Sequence, residues 1–276
     1  MNELFTSRPI VVGIDGSNAA IHAALWAVPE AVSRDVPLRL LHVIEQGDAL
    51  EQEPVAMARK RTPAETAVRR ACMAIEATGQ PVKIETEIAQ GPLVGSLIRA
   101  SASAAMLCVG ALGLHHFQPG RVGSTAAALA ISAQCPVAII RDHHNPPGLP
   151  AHGIVVEIDT SSDHGVLLGA AMEVARLRSA TIQAVICDRT GSGNDETVRD
   201  DSRLARWRRR YPNLGVDWMA VHGSLLDYLA QNHRSAQLLI VGAHDREHVK
   251  ELVGPVGSAV LQAAQCSLLI VNRQHL

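Results

Sequence analysis

Between Gly110 and Thr125 the chain reads GALGLHHFQPGRVGST, a run holding four glycines and two histidines. Glycine loses more backbone freedom on ordering than any other residue, so ordering such a loop should be tied to a gain. The run leads into an apolar pattern of helical spacing after Ser124 and Thr125. Backbone amides at a helix start carry the positive end of its dipole. Glycine lets the backbone approach a ligand, the Ser124 and Thr125 hydroxyls add hydrogen bonds, and Arg121 can add charge. Such groups suit an anion, with phosphate the natural ligand. The plainer reading is an ordinary glycine-rich connection with Ser124 as N-cap. A second strand end, Gly13-Ile14-Asp15-Gly16-Ser17, sets a carboxylate beside a Gly-Ser turn. Asp15 suits a ribose hydroxyl there, or can simply cap the first turn. His115 and His116 lie near enough to supply a base but read as solvated loop residues. No GxxxxGK[ST], no GxGxxG after the first strand and no GxSxG is present, which sets aside the P-loop, the dinucleotide fingerprint and the nucleophile elbow.

These groups must be held by strands and helices. PIVVGID begins a strand, and Ser17 can cap a helix over about 18–33 with Ile21, Leu25 and Val28 on one face. PLRLLHVIE (37–45) is a second strand. After a polar loop a helix follows over about 62–77, then the alternating strand VKIETEIA (82–89). Gly91-Pro92 opens a helix through Ala100. AMLCVGA (105–111) and PVAIIR (136–141) are further strands, with a helix over about 124–132 between them. Strand alternating with helix implies parallel pairing in a doubly wound sheet. Ligands of such sheets bind beyond the carboxyl ends of strands, where strand order switches. Both glycine-rich strand ends fall there.

The chain is written twice. RPIVVGIDGSNAAIHAALWAVPEAV (8–32) matches HGIVVEIDTSSDHGVLLGAAMEVAR (152–176), SAAMLCVGALG (103–113) matches SAQLLIVGAHD (235–245), and AISAQCPVAIIRD (130–142) matches LQAAQCSLLIVNR (261–273). Three matches in one order mark a tandem duplication. The Pro/Gly-rich DHHNPPGLPAHG (142–153) between them reads as a connector, and its His143 and His144 as solvated. The domains are therefore set at 1–144 and 152–276 with a linker at 145–151. Within the second, the charged segment 195–213 reads as a solvated helix face rather than a nucleic-acid arm.

Composition narrows the function classes. The 276 residues suffice for two domains, and 47% are apolar but only 3% aromatic. A core of Ala, Val, Leu and Ile is usual where parallel strands are buried on both faces. A formal net charge of −2 argues against nucleic acid or an anionic membrane as partner. No run of about 18 apolar residues suggests a membrane span. No signal peptide is apparent at the start, and the five cysteines are scattered without a CxxC. They read as small buried hydrophobes in a reducing, cytoplasmic setting.

Gly110-x-x-Gly113, nine residues, then Gly123-Ser124 resembles the G-2x-G-9x-G-S/T pattern of ATP-binding universal stress proteins. VVGIDGS with Asp15, LLHV at 40–43, Gly91-Pro92 and CPVAII fit that family in the same order. The resemblance covers nearly all of 8–142 and, more weakly, 152–273. It implies two tandem doubly wound α/β domains of the adenine nucleotide alpha-hydrolase-like type. Each would hold a five-stranded parallel sheet ordered 3-2-1-4-5, with ATP between the ends of the first and fourth strands. Asp15, next to Gly13, would face the ribose or phosphates, and Val43 would line the adenine site. Gly110, Leu112 and Gly113 would lie along ribose and phosphates, and Gly123, Ser124 and Thr125 would hold the phosphates, with or without Mg2+. The implied function is a nucleotide-dependent regulator or sensor in stress response. The partners implied are ATP and either a second copy in a homodimer or the pairing of the two halves. The alternatives are a slow ATPase or phosphotransferase and a non-binding dimer scaffold.

The halves differ at the motif. Gly113 becomes Asp245, Gly13 becomes Glu157 and Gly16 becomes Thr160, while Asp15 is retained as Asp159. Counting back from Cys135 and Cys266 aligns Gly123-Ser124 with Gly254-Pro255, and a rival alignment pairs it with Gly257-Ser258. Proline removes a hydroxyl and a backbone N–H. One good nucleotide site, in the first half, is expected.

Overall fold

The computed structural model describes residues 7–45, 54–114, 121–141, 153–158, 164–188, 209–232 and 236–272. These form two compact units, the first holding 7–114 and 123–141 and the second holding 121–122 and the described residues from 153 onward. The expected linker at 145–151, with the domain ends at 144 and 152, lies outside the described residues, as does most of the charged segment 195–213.

The first unit runs β1 (Ile10–Gly13), α1 (Asn18–Arg34), β2 (Leu38–Ile44), α2 (Pro54–Glu76), β3 (Ile84–Gln90), α3 (Leu93–Ser101), β4 (Met106–Gly110), α4 (Ser124–Ser132) and β5 (Val137–Ile140). Its strands are parallel and ordered β3-β2-β1-β4-β5. β1, β4 and β5 are short apolar runs because both faces are covered: Ile10, Leu107 and Ala138 are fully buried. At the edge, no residue of β3 is fully buried, and Glu85 reaches back to Arg39 of β2 at 3.1 Å. That pair is about a third exposed and contributes at most about 1 kcal/mol. α1 begins where expected, with the Ser17 hydroxyl accepting from the Ala20 amide at 3.1 Å.

The second unit runs β6 (Gly153–Ile158), α5 (His164–Arg178), β7 (Ile182–Asp188), β8 (Val216–His222), α6 (Leu225–Gln231), β9 (Ala236–Gly242), α7 (Arg246–Val253), α8 (Pro255–Ala263) and β10 (Ser267–Val271). Its order, β8-β7-β6-β9-β10, is the same 3-2-1-4-5. Strand registers fix the correspondence of the halves. Ile10 lies beside Leu38 and Met106, and Ile154 beside Ile182 and Leu238. Gly13 therefore corresponds to Glu157, His42 to Ile186 and Gly110 to Gly242.

Two elements depart from the sequence expectation. α2 starts at Pro54, about two turns before position 62, and runs through Pro63. The expected polar loop hid helical residues behind two prolines. In the second unit a helix, α7, fills the stretch whose counterpart was read as a glycine-rich bridge.

Candidate functional site

The turn after β1 is organised by Asp15. Its Oδ1 accepts from the Ser17 amide at 2.9 Å, and its Oδ2 accepts from the Leu114 amide at 3.0 Å. The first bond closes a local turn. The second reaches across 99 residues and fastens the segment after β4 to the end of β1. Gly113 makes this possible, because a Cβ there would lie 2.9 Å from Oδ2. Gly110 also has a packing reason to be glycine: a Cβ would lie 2.7 Å from the Ala19 backbone in the first turn of α1.

The chain then returns to start α4. The Gly123 amide donates to the Ala111 carbonyl at 2.8 Å. Gly123, not Ser124, occupies the N-cap, and no side chain caps the helix. Ser124 is the first helical residue. The first intrahelical acceptor bond is Ala127 to Gly123, so the amides of Ser124, Thr125 and Ala126 belong to the first turn that a helix leaves unsatisfied.

These parts surround a cleft of about 460 Å³ at the strand ends, within the size range of small-molecule sites. Gly13, Asp15 and Val43 line one part of it. Gly110, Leu112, Gly113, Gly123, Ser124 and Thr125 line the rest of the expected set. Arg121 departs from expectation: it is exposed and is not on the cleft wall. Among the described residues, the Lys and Arg side chains on the wall are Arg59 and Lys60 of α2. Leu93 and Leu97 of α3 add apolar surface. The sequence reading missed all four because they belong to helices, not to the glycine motif.

His42 of β2 also lines the cleft, beside Val43. Its Nδ1 is buried without a hydrogen bond. Burial holds the imidazole below its usual value of 6.5, against smaller upward pulls from the Ile14 backbone and from Asp15. The ring is therefore mainly neutral at pH 7. The LLHV run contained this signal: a histidine among apolar residues.

The second unit treats the corresponding place differently. Glu157 stands where Gly13 leaves space, and its Oε2 lies 2.7 Å from Nε2 of His248 on α7. Both side chains are largely buried, 14% and 7% exposed. Val249, Leu252 and Val253 of the same helix are buried. Asp245 caps α7, accepting from the His248 amide at 2.9 Å. α8 begins at Pro255 with Gly254 as N-cap, and both it and α4 have nine residues. Gly257 and Ser258 fall inside that helix, which rejects the rival alignment. Asp159 and Thr160 lie outside the described residues, as do His115, His116, His143 and His144.

Each unit is thus a doubly wound α/β domain, and the first opens a cleft at its switch point. A model of the universal stress protein family matches residues 6–141 and 195–272. The chain belongs to that family. Universal stress protein Rv2028c of Mycobacterium tuberculosis is 56% identical over 279 residues, spanning 100% of both chains. Universal stress protein Rv3134c of the same organism is 42% identical over 280 residues, covering 97% of this chain and 100% of the relative. A solved universal stress protein from Archaeoglobus fulgidus shares the fold, with a TM-score of 0.73 at 17% identity over 99% of this chain and 98% of that one.

Proposed function

We propose that the chain is an ATP-binding regulatory protein whose nucleotide sits in the cleft of the first unit, and that the second unit binds none. One observation carries this reading: the glycine-lined ends of β1 and β4 and the uncapped first turn of α4 open into a single cleft. The free amides of Ser124, Thr125 and Ala126 suit phosphate oxygens. The backbone at Val43 and the apolar side chains of Leu93 and Leu97 suit a base. Mg2+ would enter with the phosphates. Among the described residues, no group of three His, Cys, Asp or Glu side chains is placed to hold a metal by itself.

Asp15 has a defined part in this reading. Both its oxygens accept backbone N–H groups, so it shapes the segment that a ligand would lie against. Order in that segment, set by nucleotide occupancy, is the signal a partner would read. The test is to denature the purified protein and identify the released small molecules by mass spectrometry. An adenine nucleotide at about one per chain supports the reading. Protein that releases none, and takes up none from millimolar ATP, refutes it.

A further inference from the structure

In the second unit three charged groups meet where α7 covers the strand ends. His248 lies in the first turn of α7 and has a carboxylate at each ring nitrogen. Nε2 is 2.7 Å from Glu157 Oε2 at the end of β6, and Nδ1 is 3.5 Å from Glu251 Oε2 on the same helix. The Nε2–H is not directed along the line to Glu157, so that contact is one of charge rather than an aligned hydrogen bond. The place is otherwise a poor one for a cation. It is buried, and it lies at the positive end of the helix dipole. Two carboxylates are what suit it to an imidazolium.

Glu157 depends on that charge. It is 14% exposed, against 51% for Glu251, and a buried carboxylate left without a counter-charge is costly. Among the described residues His248 is its ion-pair partner. The other charged or titratable groups around α7 are engaged elsewhere or exposed. Lys250 pairs with Glu247, and Asp245 caps the helix through the His248 amide. His244 and Arg246 are exposed. α8, which packs against α7, has no charged residue.

We propose that His248 makes α7 a proton-operated cover: the imidazolium fastens α7 to Glu157 over the strand ends, and loss of its proton lets the helix open more often. Val249, Leu252 and Val253 hold the closed form at every pH, so the charged group sets how often the cover opens and not whether it closes. The contribution of His248 is whole below about 6.5, the ordinary imidazole value. It is lost as pH rises through the higher value that two carboxylates impose on the folded ring. The device works without a nucleotide.

The test is hydrogen exchange of the full chain from pH 6 to pH 9, read by mass spectrometry and corrected for the intrinsic pH dependence of amide exchange. In the wild type the protection of α7 should fall about tenfold across that range, the equivalent of one unit in the imidazole value, and α5 should not follow it. His248→Gln should give a flat profile at the level the wild type reaches at pH 9. Glu157→Gln should lose most of the fall, and Lys250→Gln, at an exposed position, should keep it whole. NMR titration of the His248 ring, assigned by its loss in His248→Gln, should give a midpoint above about 6.5. A wild-type profile that is flat, a fall that persists in His248→Gln, or a midpoint at or below that value would overturn the proposal. The wild-type profile decides the matter even where a variant does not fold.

Discussion

At one point of the same strand, the first unit has Gly13 and the second has Glu157. The glycine leaves room for a cleft of about 460 Å³. The glutamate extends to His248 at 2.7 Å, on a helix whose Val249, Leu252 and Val253 are buried. The same sheet order and register thus support two uses of the strand ends. One exposes backbone amides and small residues, and the other covers the equivalent place with its own side chains. Among the described residues, the two sets of strand ends differ at Gly13 and Glu157, at His42 and Ile186, and in the segment after the fourth strand. The duplicated framework constrains the sheet but leaves those ends free to diverge.

The largest effect that would break this contrast concerns α7. Leu252 is fully buried, whereas Leu114, in the corresponding segment of the first unit, is 50% exposed. Leu252→Ala should cost about 2–5 kcal/mol through the cavity it leaves, and Leu114→Ala about 0.5 kcal/mol or less. Urea denaturation of both variants measures the difference. Equal small losses would mean that α7 is not part of a core.

Next is the exchange of Gly13 for the residue of the other half. A Cβ at 13 meets only side-chain atoms, Val109 Cγ1 at 3.1 Å and Leu97 Cδ2 at 3.5 Å, so the fold should accommodate Gly13→Glu with small shifts. The added carboxylate should lower ATP affinity about 100-fold, roughly 2.7 kcal/mol. Glu157→Gly should create no ATP uptake, because α7 stays in place. Equilibrium dialysis with labelled ATP reads both.

A smaller effect is expected from Ser124→Pro, the exchange at the helix start. Gly123 has φ −60° and ψ 149°, extended backbone that a following proline accepts, and proline is well tolerated as the first helical residue. Stability should change by about 0.5 kcal/mol or less. ATP affinity should fall about five- to tenfold through one lost amide and one lost hydroxyl. A loss of stability without a loss of affinity would show that Ser124 serves the helix and not the ligand.

The smallest effect is a pH dependence. The folded His42 imidazole lies below its usual 6.5, so the unfolded chain takes up the proton first. The stability gained from keeping it neutral is whole above pH 6.5 and is lost as pH falls below that value toward the folded one. Its counterpart, Ile186, does not titrate. His42→Gln should therefore lose less stability than the wild type between pH 7.5 and pH 5.5. An unchanged slope would show that His42 is not the titrating group.

The frame of both units was legible because it rests on local signals. Apolar runs such as MLCV and LLIV bounded by glycine or polar turns mark buried parallel strands, and the repeated Asp-turn-helix marks the duplication. The motif's glycines and Ser124 were legible because backbone approach and free amides leave a residue-type signature. Arg59 and Lys60 were not, since Pro54 and Pro63 flank them and make a helix look like a loop. Their place on the cleft depends on how α2 packs, which spacing does not encode. α7 was legible in principle: Asp245 caps it, and His248, Val249, Leu252 and Val253 recur at helical spacing. Matching it to a glycine loop concealed that pattern. The Asp15–Leu114 bond was invisible because it joins positions 99 residues apart.

The division of labour between the halves is tested most directly by calorimetric titration of the intact chain with ATP, beside Gly13→Glu. One ATP per chain is expected for the wild type, and none at the same concentrations for the variant. Two equivalent ATP sites per chain, or one site that survives Gly13→Glu unchanged, would contradict the assignment of the nucleotide to the first unit alone.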